Sequence, residues 1–319
     1  RRVIEQAGQD HADLFLIAGD LFHRQPLARE LKEVNAMFSS IPDTKILLIA
    51  GNHDYLRKDS LYPRFPWSPN VFGLWSQEIT HVDFPDLGVR VTGCSYKSRE
   101  IPRPLYDALK RSGEMPVEIL LAHGGDEKHI PISWDRLSAS GFDYIALGHI
   151  HKPQVLQKDR MIYAGSLEPT EKNDTGPHGF IKGEIRNGKV RTAFVPWAAR
   201  EYKELEIPVT RETTQYTLCQ KISELLEEKG KEHIYTLILQ GKRDPETEFQ
   251  LDRLYSLGNI RQVEDKSRPD WSLEELCRKH RGSLLEEYIR SFEGAKGEEE
   301  KKALDYGIRA LLETGEEIL

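Results

Sequence analysis

Cysteine is scarce: three residues in 319. Cys94, Cys219 and Cys277 are scattered and make no C-x-x-C, which excludes a disulfide framework and a thiolate metal site. They read as buried apolar side chains in a reducing compartment, so the expected location is cytoplasmic. Long hydrophobic runs are missing too. None approaches the ~18 residues needed to cross a bilayer, and no signal-peptide pattern opens the chain, so no membrane partner is expected. A basic excess is also absent: 45 Lys and Arg stand against 52 Asp and Glu, a net charge of −7. A polyanion would therefore bind through a local patch or through metal ions, and not through a chain-wide positive field. There is no internal repeat and no low-complexity tract. What remains is an ordinary globular composition, 38% hydrophobic and 30% charged, long enough for two domains at roughly 150 residues each.

The informative pattern is where the apolar runs stop. Leu47-Leu48-Ile49-Ala50 runs into Gly51-Asn52-His53-Asp54. Leu14-Phe15-Leu16-Ile17-Ala18 runs into Gly19-Asp20-Leu21-Phe22-His23, Ile119-Leu120-Leu121-Ala122 into His123-Gly124-Gly125, and Tyr144-Ile145-Ala146-Leu147 into Gly148-His149-Ile150-His151. Buried parallel strands deliver polar side chains to the mouth of an α/β sheet in this way. Four such endings in Asp, Asn or His argue for one shared site, most simply a metal site.

Between the first two runs, Leu27, Leu31, Val34, Phe38 and Ile41 recur at helical spacing after Pro26, giving a β–α–β unit. Residues 55–80 read as a long Pro- and aromatic-rich loop whose rings could form a substrate wall. Two short strands are expected around 86–88, short helices at 104–112 and 133–140, and a run of antiparallel strands from 154 to 195 that closes the sheet, with Asn187-Gly188 as a hairpin turn. After Trp197 the texture changes to β–α–β–α–β. Strands are expected at 202–209, 234–240 and 259–264, and helices at 213–229 and 246–256. Residues 272–319 are expected to be helical, with Ser272/Glu275 and Ser283/Glu286 as caps.

Carboxylate, amide and imidazole ligands together suit a borderline divalent ion (Mn, Fe, Zn or Co) better than Ca or Mg. Asp20 could bridge two ions, and His149 and His151, two apart, could both reach one site. Two ions ~3.5–4 Å apart can clamp a phosphate and activate a water. His53 is then the candidate proton donor to the leaving oxygen, with Asp54 available to fix its tautomer. Lys97, Arg99 and Arg103 form the best local basic loop for substrate, although such a stretch is more often a solvated loop. Isolated loop histidines are usually polar surface residues, and His11, His81, His129, His178, His233 and His280 are read that way.

Gly-Asp (19–20), Gly-Asn-His-Asp (51–54), His123 and Gly-His-x-His (148–151) together resemble the calcineurin-like metallophosphoesterases. Gly-Asp-Leu-Phe-His (19–23) and Tyr163-Ala164-Gly165-Ser166-Leu167-Glu168-Pro169 are similar to the SbcD-type nucleases of double-strand-break repair. The resemblance implies a two-sheet sandwich with flanking helices over residues 1–197, a small α/β DNA-binding cap over 198–268, and a C-terminal helical segment, 269–319, that docks an SbcC-type coiled-coil ATPase. It implies two manganese ions, with Asp20 bridging, Asn52, His123 and His149 on one ion and His151 helping to hold the other. It makes His53 a general acid, places His23 beside the scissile phosphate, and implies DNA as substrate and a homodimer. The family's first motif, D-x-H, has no match here. The expectation is therefore of a truncated copy, in which residues 1–319 alone bind one ion well and cut poorly. Two other readings stand beside the nuclease: a metallophosphoesterase of small nucleotides or other phosphodiesters, and a non-catalytic scaffold.

Overall fold

Alternation along the central strands decides which layer each side chain enters. In the computed structural model, which describes residues 1–294 and 297–314, β1 (Leu14–Ala18) and β2 (Lys45–Ile49) pair in parallel, Ala18 opposite Ile49. Leu14, Leu16 and Ala18 turn to one side with Leu47 and Ile49. Phe15, Ile17 and Ile46 turn to the other, against Val3, Ile4 and Ala7 of helix α1 (Arg2–Gln9) and Phe38 of α2 (Ala28–Ser39). This period of two is what a strand buried on both faces requires.

A third parallel strand, β3 (Val71–Gly73), lies beside β2 and falls inside the stretch expected to be a loop. The aromatics of that stretch pack inward. Tyr62, fully buried in a 3₁₀ turn at Tyr62–Arg64, stacks on Trp67 and Trp75. Asn70, also buried, donates to the carbonyls of Phe38, Ile41 and Thr44 and so ties β3 to the end of α2. The expected substrate wall is thus part of the core.

A second sheet holds six strands in the order β4-β5-β6-β7-β9-β8: β4 (Thr80–Phe84), β5 (Val89–Gly93), β6 (Val117–His123), β7 (Tyr144–Gly148), β8 (Gln154–Gln157) and β9 (Met161–Tyr163). The four inner strands are parallel and the two edges antiparallel. Ile119 and Leu121 of β6 meet β1 and β2 residues in the layer between the sheets, while Leu120 and Ala122 face an outer core with Phe142, Tyr106 and Tyr163. The result is a mixed α/β sandwich. A short helix α3 (Trp134–Ser138) forms as expected, but residues 104–112 make turns. Tertiary contacts override the local pattern there: the buried Tyr106 hydroxyl bonds both the carbonyl and the amide of His123. Strands β10 (Gly179–Arg186) and β11 (Lys189–Pro196) form their own antiparallel pair and do not close the six-stranded sheet. Their turn, Asn187-Gly188, has positive φ at both residues, as a type I′ hairpin needs.

The chain divides into two compact units, Arg1–Glu201 and Tyr202–Leu319. In the second, β12 (Tyr202–Val209), β13 (Ile234–Arg243) and β14 (Ile260–Asp265) form a parallel sheet, with β15 (Arg268–Pro269) on the far end of β13. Helix α4 (Gln215–Lys229) buries Leu218, Ile222 and Leu226 on it and stops at Gly230. The helix expected at 246–256 is a single turn, α5 (Leu251–Leu254), continued by a 3₁₀ turn at Tyr255–Leu257. Helices α6 (Leu273–Lys279), α7 (Leu284–Ser291) and α8 (Glu298–Glu313) follow, the first two capped by Ser272 and Ser283. The apolar face of α8 is covered: Ile308, Leu304, Leu311 and Leu312 pack with Leu285 and Ile289 of α7. The last five residues of the expected C-terminal helix, 315–319, lie outside the described residues.

Candidate metal centre

Strands β1, β2, β6 and β7 end at one edge of the sandwich, and close backbone approach brings their ends together. A Cβ on Gly148 would lie 1.9 Å from the carbonyl oxygen of Ala18, and one on Gly51 would lie 2.2 Å from Asp20 Oδ1. Glycine at both positions lets β7 and the β2 turn close on β1. Two non-glycine residues at this edge, Asp20 and His149, hold left-handed backbone, with φ of 52° and 95°. Strain of this kind persists only where the surroundings fix it, and it clusters at functional sites.

Four of the sequence-selected residues meet here. His123, fully buried, points Nδ1 at the carbonyl of Ala18, 2.8 Å away. A carbonyl only accepts, so Nδ1 carries the proton and Nε2 the lone pair. That lone pair faces Asn52 Oδ1 at 2.8 Å and Asp20 Oδ2 at 3.3 Å. His149 brings Nδ1 to 3.0 Å from Asn52 Oδ1. Acceptor atoms thus converge on one point, an arrangement that a cation satisfies. Carboxylate, amide oxygen and two imidazoles are the donor set of a borderline divalent ion, and these residues fit one. The electrostatics agree. Burial works to raise the carboxyl of Asp20, but the bond and charge of His123 outweigh it and hold the group below its ordinary range. Burial likewise works against protonation of His123, and Asp20 more than compensates.

His53 lies beside this cluster. Its amide donates to Asp20 Oδ1 at 2.9 Å, and its ring stacks on that of His23, centroids 4.3 Å apart. Burial, helped by His23, Arg99 and His123, lowers its pKa against the pull of Asp20. Asp54 does not orient the His53 ring as expected. It is fully buried, and its oxygens accept from the amides of Gly51 (2.8 Å) and Phe22 (3.3 Å) and from the Tyr62 hydroxyl (2.6 Å). It ties the β1 turn to the β2 turn, and burial raises its carboxyl.

His151 departs further from expectation. Its Nδ1 lies 3.2 Å from Asp174 Oδ2 and 3.1 Å from Thr170 Oγ1, and although it lines the same cleft as Asn52 and His149 it is not part of the Asp20–His123–His149 cluster. A different pair joins His149 instead: Asp126 Oδ2 is 2.7 Å from His149 Nε2, and Asp126 Oδ1 is 2.8 Å from His129 Nδ1. Burial works to raise the carboxyl of Asp126, but the bonds from His149 and His129 hold it far below the usual range. His129, read as a surface residue, is therefore part of the cluster. His178, read the same way, is buried, with Ser166 Oγ 2.8 Å from Nδ1 and the carbonyl of Asp174 3.1 Å from Nε2. The spacing Asp126-x-x-His129 directly after His123-Gly124-Gly125 is the signal that could have revealed the added pair.

A cleft of about 650 Å³ opens over the centre, lined by Asn52, His53, His149 and His151, by the cations Arg99, Lys128 and Lys152 and by the carboxylates Glu100 and Asp174, with Lys128 3.8 Å from Glu100. Of the basic loop chosen from the sequence, Arg99 lines the cleft, while Lys97 and Arg103 are not among its lining residues.

Residues 1–153 match the family model for calcineurin-like phosphoesterases. The match spans 153 of the 319 residues, and over that stretch the chain is similar to the calcineurin-like phosphoesterases. The family uses divalent metals, which agrees with the donor set assembled by Asp20, Asn52, His123 and His149. Among curated relatives, the chain is similar to an uncharacterized metallophosphoesterase, YhaO, of Bacillus subtilis, 29% identical over 260 residues, covering 76% of this chain and 63% of that protein. It is also similar to the DNA double-strand break repair protein Mre11 of Archaeoglobus fulgidus, 26% identical over 347 residues, covering 91% of this chain and 76% of that protein. No helix among the described residues is long and apolar enough to cross a membrane.

Proposed function

We propose that this chain is a divalent-metal-dependent nuclease that hydrolyses phosphodiester bonds of DNA during strand-break repair, in company with an SbcC-type coiled-coil ATPase. The observation that carries the reading is the Asp20–Asn52–His123–His149 donor set at the foot of a cleft lined in part by Arg99, Lys128 and Lys152. When bound, an ion there supplies Lewis acidity to a phosphoryl oxygen and activates water. Manganese is the ion proposed. The remaining work falls to the chain. Arg99 and Lys152, with Lys128 shared with Glu100, offset phosphate charge in a protein of net charge −7, and the bound ion supplies the rest of the local positive field. His53 delivers a proton to the leaving oxygen, and His23, stacked against it, lies along the path of the scissile phosphate. The likeness to Mre11 favours DNA, and the second unit, Tyr202–Leu319, is the proposed DNA and partner module.

One observation favours a second reading. A cleft of about 650 Å³ also suits a small ligand such as a nucleotide. Turnover of end-labelled linear duplex DNA and of bis-p-nitrophenyl phosphate, each with Mn²⁺ and each repeated with His53→Ala, separates the two. The nuclease reading expects DNA degradation that falls by ~10²–10⁴-fold in the variant. Hydrolysis of the small diester with intact DNA transfers the reading to small phosphodiesters. Inactivity on both leaves the scaffold.

A further inference from the structure

His123 and His149 face the metal centre through different nitrogens. His123 offers Nε2, because Nδ1 is committed to the carbonyl of Ala18. His149 offers Nδ1, 3.0 Å from Asn52 Oδ1. Its outer nitrogen, Nε2, lies 2.7 Å from Asp126 Oδ2. An ionised carboxylate only accepts, so it demands the proton on Nε2, which leaves the lone pair on Nδ1 facing Asn52 and Asp20. Asp126 is itself fixed. Its Oδ1 accepts from the amides of Lys128 (2.8 Å) and His129 (2.9 Å) and lies 2.8 Å from His129 Nδ1. Two backbone amides of the loop thus hold Oδ1, while Oδ2, which also lies 2.9 Å from His129 Nδ1, is the oxygen that meets His149. The backbone of His149 is left-handed, φ 95°, so the strand does not aim this ring as it aims His123; a side-chain partner does.

We propose that Asp126 is a positioning residue: it fixes the tautomer and ring orientation of His149 and thereby sets the divalent-ion affinity of the Asp20–Asn52–His123–His149 centre. The inference rests on the reading of those four residues as an ion site. It competes with a rival account in which Asp126, His129 and His149, whose ligand atoms lie within 4.8 Å of one another, hold an ion of their own.

Asp126→Asn separates the accounts because it is isosteric and two-faced. Its amide oxygen can keep the loop bonds, and its NH₂ then turns to His149 Nε2. A donor there moves the imidazole proton to Nδ1 and takes the lone pair away from the centre. The measurement is Mn²⁺ titration by calorimetry, giving Kd and stoichiometry. Tautomers are assigned from ¹⁵N chemical shifts of the metal-free chain. Far-UV circular dichroism and thermal melting report folding. The expected result is an Nε2–H tautomer for His149 in the wild type and Nδ1–H in the variant. Kd should weaken by about 10–100-fold at unchanged stoichiometry, as loss of an outer-shell partner typically produces. Asp126→Ala, which frees His149 to adopt either tautomer, should weaken binding less than Asp126→Asn even though it removes more loop bonds. The opposite order, or an Asn variant within about threefold of wild type, would reduce Asp126 to a loop residue and overturn the proposal. Loss of one bound ion per chain in either variant, with the remaining affinity intact, would overturn it in favour of the rival ligand set. A wild-type chain that takes up no Mn²⁺ would overturn the ion site itself, whatever the variants do.

Discussion

The two histidines of Gly148-His149-Ile150-His151 end in different places. His149 is drawn into the buried centre beside Asn52 and Asp126, whereas His151 turns to Asp174 and Thr170 at the rim. On an extended strand, residues two apart share a face. Here β7 stops at Gly148, and the left-handed backbone of His149 re-aims the chain, so the spacing rule expires one residue before it is needed. A motif read from spacing thus supplies residue types reliably and directions only while the regular element lasts.

The contrast is sharpest if one histidine of each kind is removed. His123→Ala deletes a donor that faces both Asp20 and Asn52 at the core of the centre. Mn²⁺ affinity should fall by more than the ~10–100-fold that an outer-shell loss costs, and hydrolysis should disappear with it. His151→Ala, at the rim, should alter that affinity by less than about tenfold. Calorimetric titration of both variants checks the ranking, and equal losses would mean that His151 swings into the centre when an ion binds.

His53 tests a different division, between holding an ion and using it. Its ring stacks on His23, while only its amide touches Asp20. His53→Ala should therefore leave Mn²⁺ affinity within a few-fold of wild type and lower turnover by ~10²–10⁴-fold. A parallel fall in affinity would make the imidazole a ligand, and unchanged turnover would remove it from the chemistry.

What could be read from the chain follows the same boundary. Asp20, Asn52, His123 and His149 were legible because each stands at or just past the end of a central apolar strand, and the strand's own pattern locates its end. The two-sheet sandwich was implied by the family resemblance alone, because the continuous apolar run Leu14-Phe15-Leu16-Ile17-Ala18 carries no alternation that assigns its residues to layers. Asp126 and His129 were not, since they sit on a loop where an acidic residue beside a histidine is common and only the fold brings them to His149. Lys128 and Lys152 stand singly in the sequence beside the strand-end motifs, whereas Lys97, Arg99 and Arg103 form a visible cluster, and clustering along the chain does not place a cation in the cleft. The absent helix at 104–112 shows a helical pattern overruled by Tyr106, which is committed to the backbone of His123.

Behind the ligands lies a frame that should tolerate less than its distance from the chemistry suggests. Asp54 joins the first two strand-end turns and takes a 2.6 Å bond from the Tyr62 hydroxyl in a fully buried setting. Tyr62→Phe keeps the ring stacked on Trp75 and deletes that donor alone. Denaturant unfolding of the first unit should show a loss of about 1–3 kcal/mol, the cost of leaving a buried polar group short of a partner. No measurable loss would mean that Asp54 finds a substitute donor and that the frame is more adaptable than its geometry implies.

The smallest effect separates carboxylates that serve the site from one that serves only the scaffold. Asp20 and Asp126 are held low by histidines, whose own titration an ion would change. Glu118, buried at the start of β6, is held by fixed donors: the Ser112 amide and hydroxyl, each at 2.8 Å, and the Gly113 amide at 2.6 Å. Burial works to raise its pKa, but these bonds outweigh it, and the folded value lies below the ordinary 4.5. A carboxyl whose folded pKa is depressed favours the folded state wherever the unfolded chain would otherwise take up a proton. Its contribution is complete above the unfolded value and is lost as the pH falls through the folded one. Glu118→Gln retains one acceptor oxygen and should cost about 0.5–1.5 kcal/mol near neutrality. The gap between wild type and variant should then narrow as the pH drops below 4.5, and it should do so equally with Mn²⁺ present or absent. A gap that widens in acid, or one that depends on Mn²⁺, would show that Glu118 is coupled to the centre at the other end of β6.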